Sequence, residues 1–228
     1  MLNYSLSDKK WLKLLLLSTI IVLLLFSCKK DSQGCKAKFD EKLLIGQWLL
    51  NDARKYGEYW LYNSNNRGKS WDENDDVNEN EAQSFEWSLC GAKLELLHGM
   101  ESSQGRIPKQ YTITELTSKT LKYRDDYRSY SYTKVNTVRG RVTQNNSPLS
   151  GVLISASTGT TFNTDDNKDH ENKLGTYTIN VSPGSSVTIT PSLTGYTFSP
   201  PNITINNVTS NHNNQNFTAI PVTQPPNY

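Results

Sequence analysis

Asp72, Asn74, Asp76 and Asn78 place an oxygen-bearing side chain at every second position, and Asp165, Asn167 and Asp169 do the same. Alternating carboxylates and carboxamides are one way a loop gathers hard oxygen ligands around calcium. Neither run has the glycine and the distant bidentate glutamate that complete an EF-hand, and the position after Asp76 is Val77. Both runs are read as solvated acidic loops between strands, with calcium as the alternative. His98, His170 and His212 lack the spacing of a metal set and are read as ordinary surface residues. There is no Gly-x-Ser-x-Gly elbow, no His-Glu-x-x-His pair and no phosphate-binding glycine loop. Glu86 and Glu95 could be posed as the carboxylate pair of a glycosidase, but the alternation around them puts both on a solvent face. The expectation is a protein without catalysis, resident metal or cofactor.

Aromatic rings offer a different chemistry, because a ring face stacks on a sugar or walls an apolar pocket. Trp48, Trp60, Phe85 and Trp87 are the candidate pocket walls, and at strand spacing the three tryptophans also read as core plugs. Trp71 stands apart, with Lys69, Ser70, Asp72 and Glu73 around it, and is the choice if one tryptophan is exposed for binding. Tyr127, Tyr130 and Tyr132 form either a sticky surface or the coat of a strand.

Strands have to position these residues. Phe85, Trp87 and Leu89 alternate with Glu86 and Ser88, Gly91 marks a turn, and Leu94 and Leu96 alternate with Lys93 and Glu95. Residues 111–113 and 121–123 flank a polar turn in the same way, and 127–134 reads as a final strand. Past the N-terminal segment there is no helical periodicity beyond a single turn at 38–44. Residues 41–135 hold Trp48, Trp60, Trp71 and Trp87, whereas 136–220 lack tryptophan and are rich in Thr, Ser, Asn and Gly. Two all-β domains, 41–135 and 136–220, are expected to meet near Val135, with a proline-rich tail at 221–228.

Gly46-Gln47-Trp48, Tyr59-Trp60-Leu61-Tyr62 leading to Gly68, Phe85-Glu86-Trp87 and the hairpin from Tyr111 to Tyr123 together resemble the small lipocalin-like domains of bacterial lipoproteins. That resemblance implies an antiparallel barrel, which would carry a small apolar ligand if hollow and act as a scaffold if filled. Val138-Arg139-Gly140-Arg141-Val142, a turn at 146–151, Val152-Leu153-Ile154-Ser155-Ala156, strands at 175–179 and 186–190, and Asn216-Phe217-Thr218-Ala219 resemble the carboxypeptidase regulatory-like fold. This second resemblance implies a seven-stranded β-sandwich that displays, spaces or adheres and does no chemistry.

Leu25-Phe26-Ser27-Cys28 closes an apolar run, 14–26, that follows Lys9, Lys10 and Lys13. As a helix the run would rise about 20 Å at ~1.5 Å per residue, short of a hydrocarbon core of roughly 30 Å. The segment resembles a bacterial lipoprotein signal peptide. The resemblance implies loss of 1–27, acyl chains such as palmitate on Cys28, and a tether at 28–40 anchored in the outer membrane. Asp31 slightly favours the outward face, as in lipoproteins of Bacteroidetes-like bacteria. An uncleaved span is the alternative, and it would carry Lys13 near its centre.

Without Lys9, Lys10, Lys13 and Asp8, the 24 basic and 22 acidic residues become 21 of each. A neutral chain lacks the field that nucleic acid requires, which excludes that partner. With Cys28 lipidated, Cys35 and Cys90 remain, and an envelope compartment permits a disulfide between them. Two separate thiols are the alternative. Expected partners are the membrane, and envelope proteins, glycans or a small apolar ligand.

Overall fold

Each strand of the first half pairs with its neighbours in sequence. The computed structural model describes residues 35–52, 56–99, 108–165 and 173–222. Strands β1 (Gly46–Leu50), β2 (Glu58–Tyr62), β3 (Arg67–Asp72), β4 (Gln83–Cys90), β5 (Lys93–His98), β6 (Pro108–Leu116), β7 (Thr120–Arg124) and β8 (Ser129–Lys134) close into an antiparallel barrel. The seam is β1 against β8, with Trp48 opposite Lys134 and Leu50 opposite Tyr132. The expectation from the Cys35 and Cys90 pair holds: both are disulfide-bonded. The segment expected to be a signal peptide, Cys28 and most of the expected tether lie outside the described residues. Among the described residues no helix is long and apolar enough to cross a membrane.

Period-two alternation builds the lumen. Phe85, Trp87 and Leu89 of β4 point inward while Glu86, Ser88 and Cys90 are exposed. They join Trp48, Tyr62, Leu94, Leu96 and Tyr123 in one buried core. Tyr62 packs edge-on against Phe85 and Trp87, with ring centroids 5.3 and 6.0 Å apart, and Tyr123 Oη donates to Tyr132 Oη at 2.6 Å. An eight-stranded barrel is just wide enough for side chains to fill, and here they do. Gly68 makes room for this filling, because a Cβ there would lie 2.3 Å from the Phe85 ring. A one-turn helix, Glu41–Leu44, covers one end, capped by Asp40 and fixed by the Trp48 indole N–H donating to Leu44 O at 2.7 Å.

Only Val135 separates β8 from β9 (Asn136–Gln144). β9 anchors a five-stranded sheet with β10 (Ser147–Pro148), β17 (Phe217–Pro221), β15 (Tyr196–Ser199) and, on its other part, β13 (Thr176–Val181). A second sheet orders β12 (Thr161–Asn163), β11 (Leu153–Ala156), β14 (Val187–Ser192) and β16 (Ile203–Ile205). Val138, Val142, Ile154, Ile179, Ile189 and Phe217, drawn from both sheets, share one core. The chain is thus all-β, with a closed barrel and two further sheets. Among the described residues these sheets contain nine strands, where seven were expected. The short β10, β12 and β16 escape a sequence reading because two or three residues carry no measurable alternation.

The tyrosine-rich strand also differs from expectation. It starts at Ser129, leaving Tyr127 in the preceding turn, 96% exposed. Tyr130 packs against the barrel core and Tyr132 is buried within it.

Candidate functional site

The outer face of β1–β3 is not a solvent face. Tyr59 lies opposite Trp71 across β2 and β3, and their rings stack 5.2 Å apart at 20°. With Val135 they form a small separate core, onto which Leu49, Leu61, Val77 and Ala82 pack. Trp71, expected to be the exposed tryptophan, is therefore 2% exposed. Its polar neighbours mislead because the β3–β4 connection and the sheets beyond Val135 cover this side of the barrel.

Charged groups continue the junction. The β3–β4 connection contains two short 3-10 turns, Glu73–Asp75 and Glu79–Glu81, capped by Asp72 and Asn78. Glu73 accepts from Arg139 Nη2 of β9 at 2.7 Å, and Glu79 lies 3.7 Å from the same guanidinium and 3.3 Å from Lys69 Nζ. Lys173 pairs with Asp76 at 2.6 Å and donates to Glu73 O at 3.0 Å. Two phenols also cross the junction: Tyr56 donates to Asp165 at 2.7 Å and Tyr59 to Asn180 at 3.2 Å. Asn211 donates to Gln47 Oε1 at 2.8 Å. Burial pushes the Glu73 carboxyl above its ordinary value, against the opposing pull of Arg139. Burial, helped by Glu73, pushes the Tyr59 phenol up to about 12.

These contacts account for the first alternating run. Asp72 Oδ1 accepts from Asn74 N and Nδ2, Asn74 Oδ1 accepts from Tyr56 N, and Asp76 holds Lys173. The oxygens that would have faced calcium face protein donors. Among the described residues no three His, Cys, Asp or Glu side chains assemble as a metal cage. Of the second run, Asp165 is buried at the junction, while Asn167 and Asp169, together with His170, lie outside the described residues.

Where the two outer faces diverge they leave a cleft of about 790 Å³. One wall is the barrel, through Tyr56, Gly57, Tyr59 and Glu73. The facing wall is the outward side of β9 and β13, where Thr178 lies opposite Arg139 and Thr176 opposite Arg141. Phe162 and Asn163 of β12 and the segment holding Asn213, Asn214 and Asn216 close the rim. No family model, curated protein or solved structure matches this chain. The chemistry of the cleft is therefore read from its own residues.

The proposed pocket walls Trp48, Trp60, Phe85 and Trp87 are brought together, but inside the barrel and away from this cleft. Trp60 is the half-buried member, donating its indole N–H to Glu58 at 2.9 Å and meeting the His98 ring edge-on at 5.9 Å. Glu86 is exposed and Glu95 half-buried, and Glu95 accepts from Gln110 at 3.0 Å. The sequence reading missed Glu73, Arg139, Thr178 and Asn180 as site residues. One signal pointed to them: Leu49-Leu50 and Tyr59-Trp60-Leu61-Tyr62 are apolar at consecutive positions, as in strands covered on both faces.

Proposed function

We propose that the protein is a non-catalytic binding and display module of the bacterial envelope, anchored by acyl chains on Cys28, with its ligand site in the cleft outside the barrel. The filled barrel core carries this reading. A lumen occupied by Trp48, Tyr62, Phe85, Trp87 and their neighbours supports a scaffold rather than a container, and the cleft supplies a polar concavity within the size range of ligand sites. The two sheets serve as the displaying sandwich, of the carboxypeptidase regulatory-like kind, with short edge strands added to its frame. Acylation with at least two chains gives stable attachment, and Asp31 favours the outward face of the outer membrane.

Two measurements test the proposal. Cells fed radiolabelled palmitate should label the wild-type chain and not Cys28→Ala, and label retained on the variant overturns the anchor. The full chain in detergent micelles, compared with empty micelles, should show no saturable uptake of a fluorescent fatty acid. Saturable uptake that Trp60→Ala abolishes would instead make the barrel a carrier of small apolar ligands.

A further inference from the structure

We infer that the junction cleft binds a short neutral oligosaccharide. The inference rests on the binding reading above and adds the chemical class. Three observations carry it.

The first is that two of the cations lining the cleft, Arg139 and Lys173, are paired within the protein. Arg139 is held by Glu73 and Glu79, Lys173 by Asp76, and the Asp165 carboxylate takes the Tyr56 hydroxyl. A site for a phosphate, a carboxylate or a cation would present an unmatched charge to it. Here Arg139 and Lys173 already serve to join the two halves, and Arg141 is the remaining cation of the lining.

The second is the kind of polar group left over. β13 alternates Tyr177, Ile179 and Val181 inward with Thr176, Thr178 and Asn180 outward, so a row of small neutral side chains floors the cleft. Asn180, also in the lining, uses its Oδ1 for Tyr59 and has no partner for its amide N–H pair among the described residues. Thr178, Asn163, Asn213 and Asn214 line the same space, and their side chains have no hydrogen-bond partner among the described residues. Hydroxyls and carboxamides both donate and accept, which matches a ligand whose own groups are hydroxyls of either role.

The third is the presence of rings among these groups. Phe162 is half-buried in the lining, so part of its ring surface stays open, while the half-buried Tyr56 ring has Lys173 Nζ 4.9 Å from its centroid. An apolar ring surface beside neutral hydrogen-bonding groups suits a sugar, which has C–H patches and hydroxyls on one small frame. An apolar ligand would leave the carboxamides unpaired, and a charged one would compete with the ion pairs of Arg139 and Lys173.

The test uses the full chain in detergent micelles and calorimetric titration with neutral tetrasaccharides: β-1,4-glucan, β-1,3-glucan, α-1,4-glucan, β-1,4-mannan and β-1,4-galactan. At least one should bind saturably. Thr178→Val and Asn213→Ala, both outside the ion-pair network, should each weaken it about tenfold, as expected for a lost hydrogen bond with an unsatisfied partner. Their thermal midpoints should match wild type, which separates a lost contact from a lost fold. Failure of all five sugars overturns the inference, and so does binding that neither variant changes. A parallel titration with a polygalacturonate tetramer and an acidic peptide tells the two failures apart. Binding of one of these that depends on Thr178 would discard the neutral sugar and keep the binding module, whereas silence from every ligand would sink both.

Discussion

Trp71→Ala tests whether the barrel and the sheets are one mechanical body. Trp71 is buried at 2% exposure, stacks on Tyr59 and completes the small core around Val135. Removing a buried tryptophan side chain costs about 3–5 kcal/mol, of which the lost stacking with Tyr59 is ~0.5–1.5 kcal/mol. That is a large share of the roughly 5–15 kcal/mol that holds a typical fold. The loss would fall where the two halves meet and leave each half's own core untouched. In a Trp11→Phe background the remaining tryptophans, at 48, 60, 71 and 87, all belong to the barrel. Their fluorescence then follows the barrel, while far-UV circular dichroism follows every strand. In urea the two signals should coincide for the parent and separate for Trp71→Ala, with the earlier midpoint lowered. Tyr127→Ala, at the 96% exposed turn, should change stability by less than ~0.5 kcal/mol. Two resolved transitions in the parent, or a loss below ~1 kcal/mol with coincident curves in the variant, would refute the fused body.

Three further outcomes are expected. Gly140→Ala places a Cβ 1.8 Å from Gln215 O, a backbone atom that cannot swing aside, so the variant should lose at least ~1–3 kcal/mol in chemical denaturation. Replacing Cys35 and Cys90 together by serine should lower stability by up to ~4 kcal/mol on chain-entropy grounds, given the long loop they close. A matching loss should appear when the wild type is unfolded in reductant, and equal midpoints with and without reductant would contradict it. Burial, and secondarily Lys109, holds the His98 imidazole below its ordinary 6.5. The unfolded chain therefore takes up a proton before the folded one does, and stability falls as pH drops from 6.5 toward the folded value. His98→Gln should remove that slope, read from urea midpoints across pH 5–7.5; an unchanged slope would assign it elsewhere.

The barrel was readable in the sequence because β4 through β7 have one wet face and one dry face, and alternation around Phe85, Trp87, Leu94 and Leu96 reports that geometry directly. A single helical turn was expected at 38–44, and it forms at Glu41–Leu44, where Asp40 caps it. Trp71 was misjudged for a physical reason: local polarity describes a residue's neighbours along the chain, whereas its burial is decided by Tyr59, Val135 and a connection arriving from elsewhere. The cleft was illegible for the same cause. Thr178 and Asn180 look like an ordinary wet face of a strand until Tyr56 and Tyr59 are placed across from them. The alternating oxygens at 72–78 were visible but ambiguous, since ligating a cation and capping a short 3-10 turn call on the same side chains.

The placement of all eight barrel strands ahead of the sheets sets an order of events during synthesis. All eight barrel strands emerge before any strand of the sheets, so the barrel can close while Leu49, Tyr59, Leu61 and Trp71 still lack their cover. At ~5–20 residues per second, completing the chain through β17 takes on the order of ten seconds. For that interval the newborn barrel carries a greasy flank, and any holding factor acting on the chain would have this flank as its natural grip. The same flank bears on where the chain can be divided: a fragment ending at Val135 would keep Leu49, Tyr59, Leu61 and Trp71 without the cover that the sheets supply.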